Sequence, residues 1–280
     1  MKLGSIEFHI LNDGTFRLDG GAMFGVIPKP MWERVVTPDE RNRVTLTMNA
    51  LLIRAAARWI LVETGAGDKW DDKRREIYAF AGAPRLLAQL AEHGLDPEQI
   101  DIVINTHLHF DHCGWNTRIV NGVAVPTFPN ARYFVHRGEL EHARHPNERD
   151  RVSYLPDNFE PMAKSGQWQL VEGERCEVVP GVELVVLAGH TNDMMGVLLS
   201  SGGQTAIFLS DLVPMTSHLP LAWIMGFDSY PLTTLANKKK WLPQIVREGW
   251  LALFCHDGKT PAARLRERDG KIVAEPVVVD

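Results

Sequence analysis

The stretch Thr106-His107-Leu108-His109-Phe110-Asp111-His112 places three imidazoles and one carboxylate within six residues, directly after a run of apolar residues. Because side chains alternate along an extended strand, His107 and His109 point to the same side and can reach one ion. Asp111 and His112 follow where the chain turns, and they can face a second ion beside the first. This density of ligand groups predicts a centre for two divalent metal ions.

Three further candidate ligands lie downstream, each at the end of a strand-like run: His190, Asp211 and His256. If these strand ends lie along one edge of the fold, their side chains converge. Each has an alternative interpretation, since a lone histidine is more often hydrogen-bonded in the core and Asp211 alone could be a turn or N-cap residue. Imidazole and carboxylate ligands favour zinc, with iron, cobalt or manganese as alternatives.

Two of the three cysteines adjoin candidate ligands, because Cys113 follows His112 and Cys255 precedes His256. A thiolate ligand is one interpretation. Core packing is favoured, since the seven nitrogen and oxygen ligands already complete two sites and free cysteine is commonly buried. The odd number and wide spacing of the cysteines predict reduced thiols. The run Lys238-Lys239-Lys240 is predicted to be a solvated helix face.

Length, composition and charge limit the classes of protein to which this chain can belong. A chain of 280 residues with 45% hydrophobic residues predicts one domain over residues 1–280. Acids and bases are interspersed at a net charge of −5, so no basic stripe is present to bind nucleic acid. Polar residues interrupt the N-terminal apolar positions, and no stretch reaches membrane-spanning length. We therefore expect a cytoplasmic protein without a membrane partner.

Hydrophobic periodicity and turn signals predict an α/β sandwich of two β-sheets packed face to face with helices outside. Two strands are expected within residues 44–62, a helix between Pro84 and Gly94, and a helix over much of 232–247. Hairpins are expected within 176–190 and 196–211, with a last core strand at 251–257. Residues 113–175 read as an irregular connection with a helix near 137–144.

The ligand residues carry a resemblance to a known family. HLHFDH at 107–112, followed by His190, Asp211 and His256, resembles the dinuclear metal hydrolases of the metallo-β-lactamase superfamily, which implies an αββα sandwich of two mixed β-sheets. Further blocks resemble the YtnP-like quorum-quenching lactonases over nearly the whole chain: residues 18–32, FPNARYF at 128–134, RHPNERD at 144–150, SDLVP at 210–214 and FDSYP at 227–231. This resemblance also implies a homodimer.

The resemblance implies a role for each ligand. It assigns His107, His109 and His190 to one ion, Asp111, His112 and His256 to the other, and Asp211 to a bridging position. Two departures stand out. Many relatives have a second histidine shortly after His190, which this chain lacks, so support for His190 must come from elsewhere. Better-known acyl-homoserine lactonases place a substrate-polarising tyrosine at the position of Pro214, and His218 or Tyr230 are candidates to replace it.

The expected reaction is the opening of a lactone, such as an N-acyl-homoserine lactone, by a hydroxide that bridges the two ions. Asp111 is the candidate catalytic residue, because it can move a proton to the leaving oxygen. Candidate walls for an acyl chain are Met23, Phe24, Trp223 and Met225, although core or dimer contact explains them equally well. The alternative functions are hydrolysis of phosphotriesters or aryl esters at the same site, and a non-catalytic metal-binding protein, which Asp111 and Asp211 disfavour.

Overall fold

The computed structural model describes residues 1–279, in which most of the chain lies in short strands and helices. The strands, numbered along the chain, are β1 Lys2–Leu3, β2 Ile6–Asp19, β3 Arg43–Ala55, β4 Arg58–Val62, β5 Ile102–Ile104, β6 Thr117–Val120, β7 Val123–Pro126, β8 Arg132–His136, β9 Trp168–Val171, β10 Arg175–Val179, β11 Val182–Val186, β12 Met195–Ser201, β13 Gln204–Phe208, β14 Leu251–Leu253, β15 Ala262–Arg268 and β16 Lys271–Pro276. The α-helices are α1 Gly20–Phe24, α2 Lys29–Trp32, α3 Asp72–Tyr78, α4 Leu86–Glu92, α5 Phe110–Cys113, α6 Arg137–Arg144, α7 Glu160–Ser165 and α8 Pro231–Glu248.

Within residues 1–279 the strands form two seven-stranded sheets and one separate hairpin. The first sheet has the order β1-β2-β3-β4-β5-β8-β9, and the second runs from β10 to β16 in chain order. Strands β4, β5, β8 and β9 pair in parallel, as do β13 and β14, while the other pairs are antiparallel. Both sheets are therefore mixed, as predicted. Each is built from one contiguous half of the chain, the first from residues 2–171 and the second from 175–276.

The two sheets face each other across a shared apolar cluster. Phe8 and Ile53 from the first sheet and Leu184, Val197 and Phe208 from the second are all buried in it. Full burial of each such side chain stabilises the fold by about 1.5–3 kcal/mol.

Helices cover the outer face of each sheet. Leu86 and Leu90 of α4 pack beneath the first sheet, and Trp241, Leu242 and Ile245 of α8 pack beneath the second. The layers are thus helix, sheet, sheet and helix, so the predicted αββα sandwich is confirmed.

The predicted elements are mostly present, with three differences. Residues 251–253 are not the last core strand, since β15 and β16 continue the second sheet beyond them. The connection at 113–175 holds four strands as well as the predicted helix at 137–144. The long strand β2 was not predicted, because a register shift between Asn12 and Thr15 breaks its alternation of polar and apolar residues.

The lysine run on α8 is not a uniformly solvated face, which corrects the sequence-based expectation. Lys239 and Lys240 are exposed, but Lys238 is fully buried. Its ammonium group donates hydrogen bonds to the carbonyl oxygens of His218, Pro220 and Trp223 at 2.6, 2.8 and 2.9 Å. Three carbonyl acceptors offset part of the loss of water around the charge, and burial lowers the pKa of Lys238 to about 7.

No helix within residues 1–279 is long and apolar enough to cross a membrane.

Candidate metal centre

The predicted ligands lie beside the ends of strands from both sheets. His107 follows β5 of the first sheet, whereas Asp211 follows β13 and His256 follows β14 of the second. The backbone before Asp211 is strained, because Ser210 has φ +48°, and this turn is held by a hydrogen bond of 2.7 Å between the Ser210 and Thr106 hydroxyls. The seven predicted side chains are brought together at this edge of the sandwich.

One group of three imidazoles forms where the two sheets meet. His107, His109 and His190 offer ring nitrogens that all lie within 4.8 Å of one another. The Nδ1 atom of His109 is 3.0 Å from Nε2 of His190. This is the set that the resemblance assigns to one ion.

A second group lies next to the first. Asp111, His112 and His256 also place ligand atoms within 4.8 Å of one another. An oxygen of Asp111 is 3.6 Å from Nε2 of His112 and 3.5 Å from Nε2 of His256. This grouping matches the second predicted set.

Asp211 stands between the two groups. Its Oδ2 atom is 3.2 Å from Nε2 of His190 and 3.7 Å from Nε2 of His107. It is also 3.5 Å from Nε2 of His112, while Oδ1 is 3.2 Å from Nε2 of His256. One carboxylate therefore contacts members of both groups, which is the geometry that a bridging ligand requires.

The protonation states of His107, His109 and Asp211 favour binding of a cation. Burial and the neighbouring imidazoles lower the pKa of His107 and His109 well below the usual value, so both rings keep a free lone pair. Burial alone would raise the pKa of Asp211, but His256 and His112 hold it well below its usual range. Burial opposes protonation of His112, but the charges of Asp111 and Asp211 raise its pKa well above the usual value, so this ring must release a proton when it binds a cation.

Several ring nitrogens that face away from the centre are already hydrogen-bonded, which fixes the rings. Nδ1 of His190 donates to Asp228 at 3.0 Å, and Nδ1 of His256 donates to the Thr47 carbonyl at 2.7 Å. Asp228 also accepts from the Thr234 hydroxyl at 2.7 Å. Asp228 therefore supplies the support for His190 that was expected to come from another part of the chain.

Two of the inward-facing nitrogens lack such partners. Nε2 of His107 and Nε2 of His112 are buried without a hydrogen-bond partner among the described residues. Buried polar atoms left in this way cost free energy unless another group satisfies them. Convergent lone pairs, buried orphan nitrogens and two central carboxylates fit a pair of divalent cations.

Cys255 is buried as predicted, but it also contacts the centre. Its thiol donates to Oδ1 of Asp211 at 3.1 Å, and burial together with Asp211 raises its pKa well above the usual value. The group therefore stays a neutral thiol that holds Asp211. Cys113 is buried and donates to the carbonyl oxygens of Leu108 and His109 at 3.3 and 3.2 Å.

A cavity of about 330 Å³ opens above the centre. His109, Asp111, His190, Asp211 and His256 reach its wall. Its remaining lining includes Leu18, Met23, Leu46, Tyr78, Phe110, Arg149, Val152, Met225 and Phe227. Met23 and Met225 thus line the cavity, as predicted for residues that contact a substrate, and their role in binding stays a prediction.

The other four candidate pocket residues lie outside this lining, which corrects their assignment. Phe24 is fully buried and stacks on His218 at 4.8 Å. His218 donates from Nε2 to the Met23 carbonyl at 2.9 Å, so its ring is committed to the core. Trp223 packs edge-on against Phe24 and faces a separate surface cleft. Tyr230 precedes α8 and is 44% exposed.

The phenol that reaches the cavity belongs instead to Tyr78, at the end of α3. Its ring packs on Phe110 at 4.7 Å, and burial and the charge of Asp111 raise its pKa. Tyr78 was not predicted from the sequence, because nothing in residues 68–84 marks it as a site residue. Asp228 had a weak signal, since it lies in the FDSYP block.

Comparisons with known proteins agree with this architecture. A sequence model of the metallo-beta-lactamase superfamily matches residues 45–264. An N-acyl homoserine lactonase from Bacillus sp is 29% identical over 178 residues, covering 62% of this chain and 62% of that protein. The lactonase AiiB of Agrobacterium fabrum is 28% identical over 182 residues, covering 59% and 62%. The chain thus spans about three fifths of the length of these relatives.

Solved structures extend the likeness to the whole chain. A probable metal-dependent hydrolase from Staphylococcus aureus has a TM-score of 0.90 at 30% identity, with both chains fully covered. AidC, described as a dizinc quorum-quenching lactonase, has a TM-score of 0.81 at 19% identity, covering 100% of this chain and 97% of AidC, which is a likeness of fold alone. The family match and the fold together show that the chain belongs to the metallo-β-lactamase superfamily.

Proposed function

We propose that this chain is a metal-dependent hydrolase that opens lactones, with N-acyl-homoserine lactones as the preferred class. The observation that carries the proposal is the convergence of two ligand groups on the wall of one partly apolar cavity. The similarity to N-acyl homoserine lactonases from Bacillus and Agrobacterium supports the substrate class.

The chain's residues divide the work between binding and proton transfer. His107, His109 and His190 would hold one ion, and Asp111, His112 and His256 the other, with Asp211 shared; we propose zinc for both. Bound divalent ions would supply a water of lowered pKa and a Lewis acid for the substrate carbonyl.

Asp111 is the residue we assign to proton transfer. Its carboxylate lines the cavity, and its side chain is only 10% exposed. An alkoxide is a poor leaving group, so proton delivery to the ring oxygen speeds its departure. Met23, Leu46, Met225 and Phe227 give the cavity an apolar wall on which an acyl chain can pack.

The test is a substrate comparison on the purified, metal-analysed protein. We expect about two equivalents of transition metal per chain. We also expect kcat/KM for a long-chain acyl-homoserine lactone to exceed that for an aryl phosphotriester by at least about tenfold, roughly 1.4 kcal/mol in barrier. Lengthening the acyl chain should lower KM, by up to roughly 0.8 kcal/mol for each methylene fully buried.

Metal content and substrate preference test different parts of the proposal. One metal equivalent or none, after metal is added, would overturn the dinuclear centre. A higher kcat/KM for the phosphotriester than for the lactone would make phosphotriester or aryl-ester hydrolysis the better assignment.

A homodimer and a cytoplasmic location remain part of the proposal, as does a single domain over the whole chain.

A further inference from the structure

Glu139 is a buried carboxylate outside the two ligand groups. It lies on α6, is 1% exposed, and accepts three hydrogen bonds. The donors are the backbone N–H of Leu108 at 2.9 Å, the Thr191 hydroxyl at 2.6 Å and the Tyr154 hydroxyl at 3.1 Å. Such a carboxylate is costly to bury unless its oxygens are satisfied in this way.

Each donor belongs to a segment that touches an imidazole of the first group. Leu108 lies between His107 and His109. Thr191 directly follows His190, and the Tyr154 ring packs edge-on against the His109 ring at 4.7 Å.

These segments come from different sheets and are far apart in the chain. Leu108 follows β5 of the first sheet, while Thr191 lies between β11 and β12 of the second. Glu139 therefore joins the two pieces of chain that must keep a fixed spacing for one ion. Among the described residues, neither Asp111, His112 nor His256 donates a hydrogen bond to Glu139.

We propose that Glu139 is a positioning residue that sets the spacing of His190 relative to His107 and His109. This inference rests on the proposed function, because it concerns the metal centre that the function requires. Loss of the carboxylate leaves the Leu108 N–H unpaired and frees Thr191, so the three imidazoles lose their common spacing. Outer partners of this kind typically change metal affinity by 10- to 100-fold when removed.

The experiment measures cobalt(II) affinity of each ligand group separately by visible absorption. His256→Ala leaves the group of three histidines intact, and His190→Ala leaves the other group intact. In the His256→Ala background, Glu139→Leu should lower cobalt affinity at least tenfold. In the His190→Ala background it should change affinity less than threefold.

Two milder variants test whether a loss of cobalt affinity comes from the lost hydrogen bonds or from misfolding. Glu139→Gln keeps an oxygen that can accept from Leu108, so it should restore affinity to within about threefold of the parent. Thr191→Val removes only one of the three donors, and it should lower the cobalt affinity of the group of three histidines by a smaller factor than Glu139→Leu. Asp39→Asn is the matched control, because Asp39 also accepts several hydrogen bonds, from Arg17, Arg41 and Arg43, but contacts no ligand.

The outcomes are distinct. Equal losses in both backgrounds would mean general loosening of the fold and would overturn the positioning role. Unchanged cobalt affinity in Glu139→Leu would also overturn the positioning role. If the unmodified protein bound no cobalt, the metal centre of the proposed function would fail. If it bound cobalt but opened no lactone, only the proposed function would fail.

Discussion

The side chain of Asp111 contacts two imidazoles of the metal centre and also lines the cavity. It contacts His112 and His256 at 3.6 and 3.5 Å and also reaches the cavity. Asparagine has nearly the same shape, but it carries no charge and cannot accept and release a proton at neutral pH. A single substitution therefore separates the chemistry of the carboxylate from its packing.

We expect Asp111→Asn to lower kcat for lactones by at least about 100-fold, the usual scale for loss of a positioned proton carrier. Circular dichroism and the thermal midpoint should stay close to those of the unmodified protein. Assays in excess zinc separate lost proton transfer from weakened metal binding. A kcat near that of the unmodified protein would show that another group moves the proton.

His218 links stability to pH. Burial lowers its pKa from 6.5 to about 4. In the unfolded chain the ring takes up a proton as the pH falls below about 6.5, whereas in the folded protein it stays neutral until about pH 4. The unfolded state therefore gains protons first, and stability is lost as the pH falls through this window.

Between pH 7 and pH 5 this residue should remove about 2 kcal/mol of unfolding free energy. His218→Phe takes that contribution away while keeping an aromatic ring against Phe24. Urea unfolding at both pH values should show a smaller pH-dependent loss in the variant. Equal losses in the two proteins would contradict the assignment.

At the scale of single residues, the sequence predicted groups that lie close together in the chain. HLHFDH is such a group, and its geometry follows from strand alternation and one turn. Asp228 and Glu139 were not predicted, because each contacts the centre across a long sequence separation, 38 residues from Asp228 to His190 and 52 from Glu139 to Thr191, and neither stands at the end of a strand-like run as the distant ligands do. Phe24 and Trp223 were misplaced because an apolar residue looks the same in a core as in a pocket wall.

The helix α8 also fixes a loop through one buried lysine. Lys238 binds three carbonyl oxygens of the segment 218–223, which precedes Met225 and Phe227 in the cavity wall. We expect Lys238→Met to lower the free energy of unfolding by about 3 kcal/mol, because buried carbonyl groups lose their donor.

Lys239→Met is the matched control on the same helix. Its side chain is exposed, so the change should stay within about 0.5 kcal/mol. Chemical denaturation of both variants gives the comparison. Similar small effects in both would mean that water replaces the lysine without cost.

Among the elements, those with strong periodicity were predicted well. The helix α8 and the hairpins of the second sheet match expectation because their apolar positions repeat regularly. The strands β6–β9 were missed, since they are only four or five residues long and lie between turns rich in proline and asparagine. Short strands are defined by their neighbours in the sheet, which a local pattern does not contain.

On the scale of the whole molecule, the ligands come from both halves of the chain. His107, His109, Asp111 and His112 follow strands of the first sheet, while His190, Asp211 and His256 belong to the second half. Neither half holds all three members of either of the two ligand groups described above. The two sheets must therefore be docked before either ligand group is complete.

That division makes the protein a candidate for reconstitution from two pieces. The turn at residues 172–174 joins the halves; it is exposed, and a side chain added at Gly173 would meet open space. Chains cut there and expressed separately should each lack tight metal binding and regain it, with lactone opening, when mixed. A bound metal ion would then act as a reporter of assembly, since each ligand group is completed only where one piece meets the other.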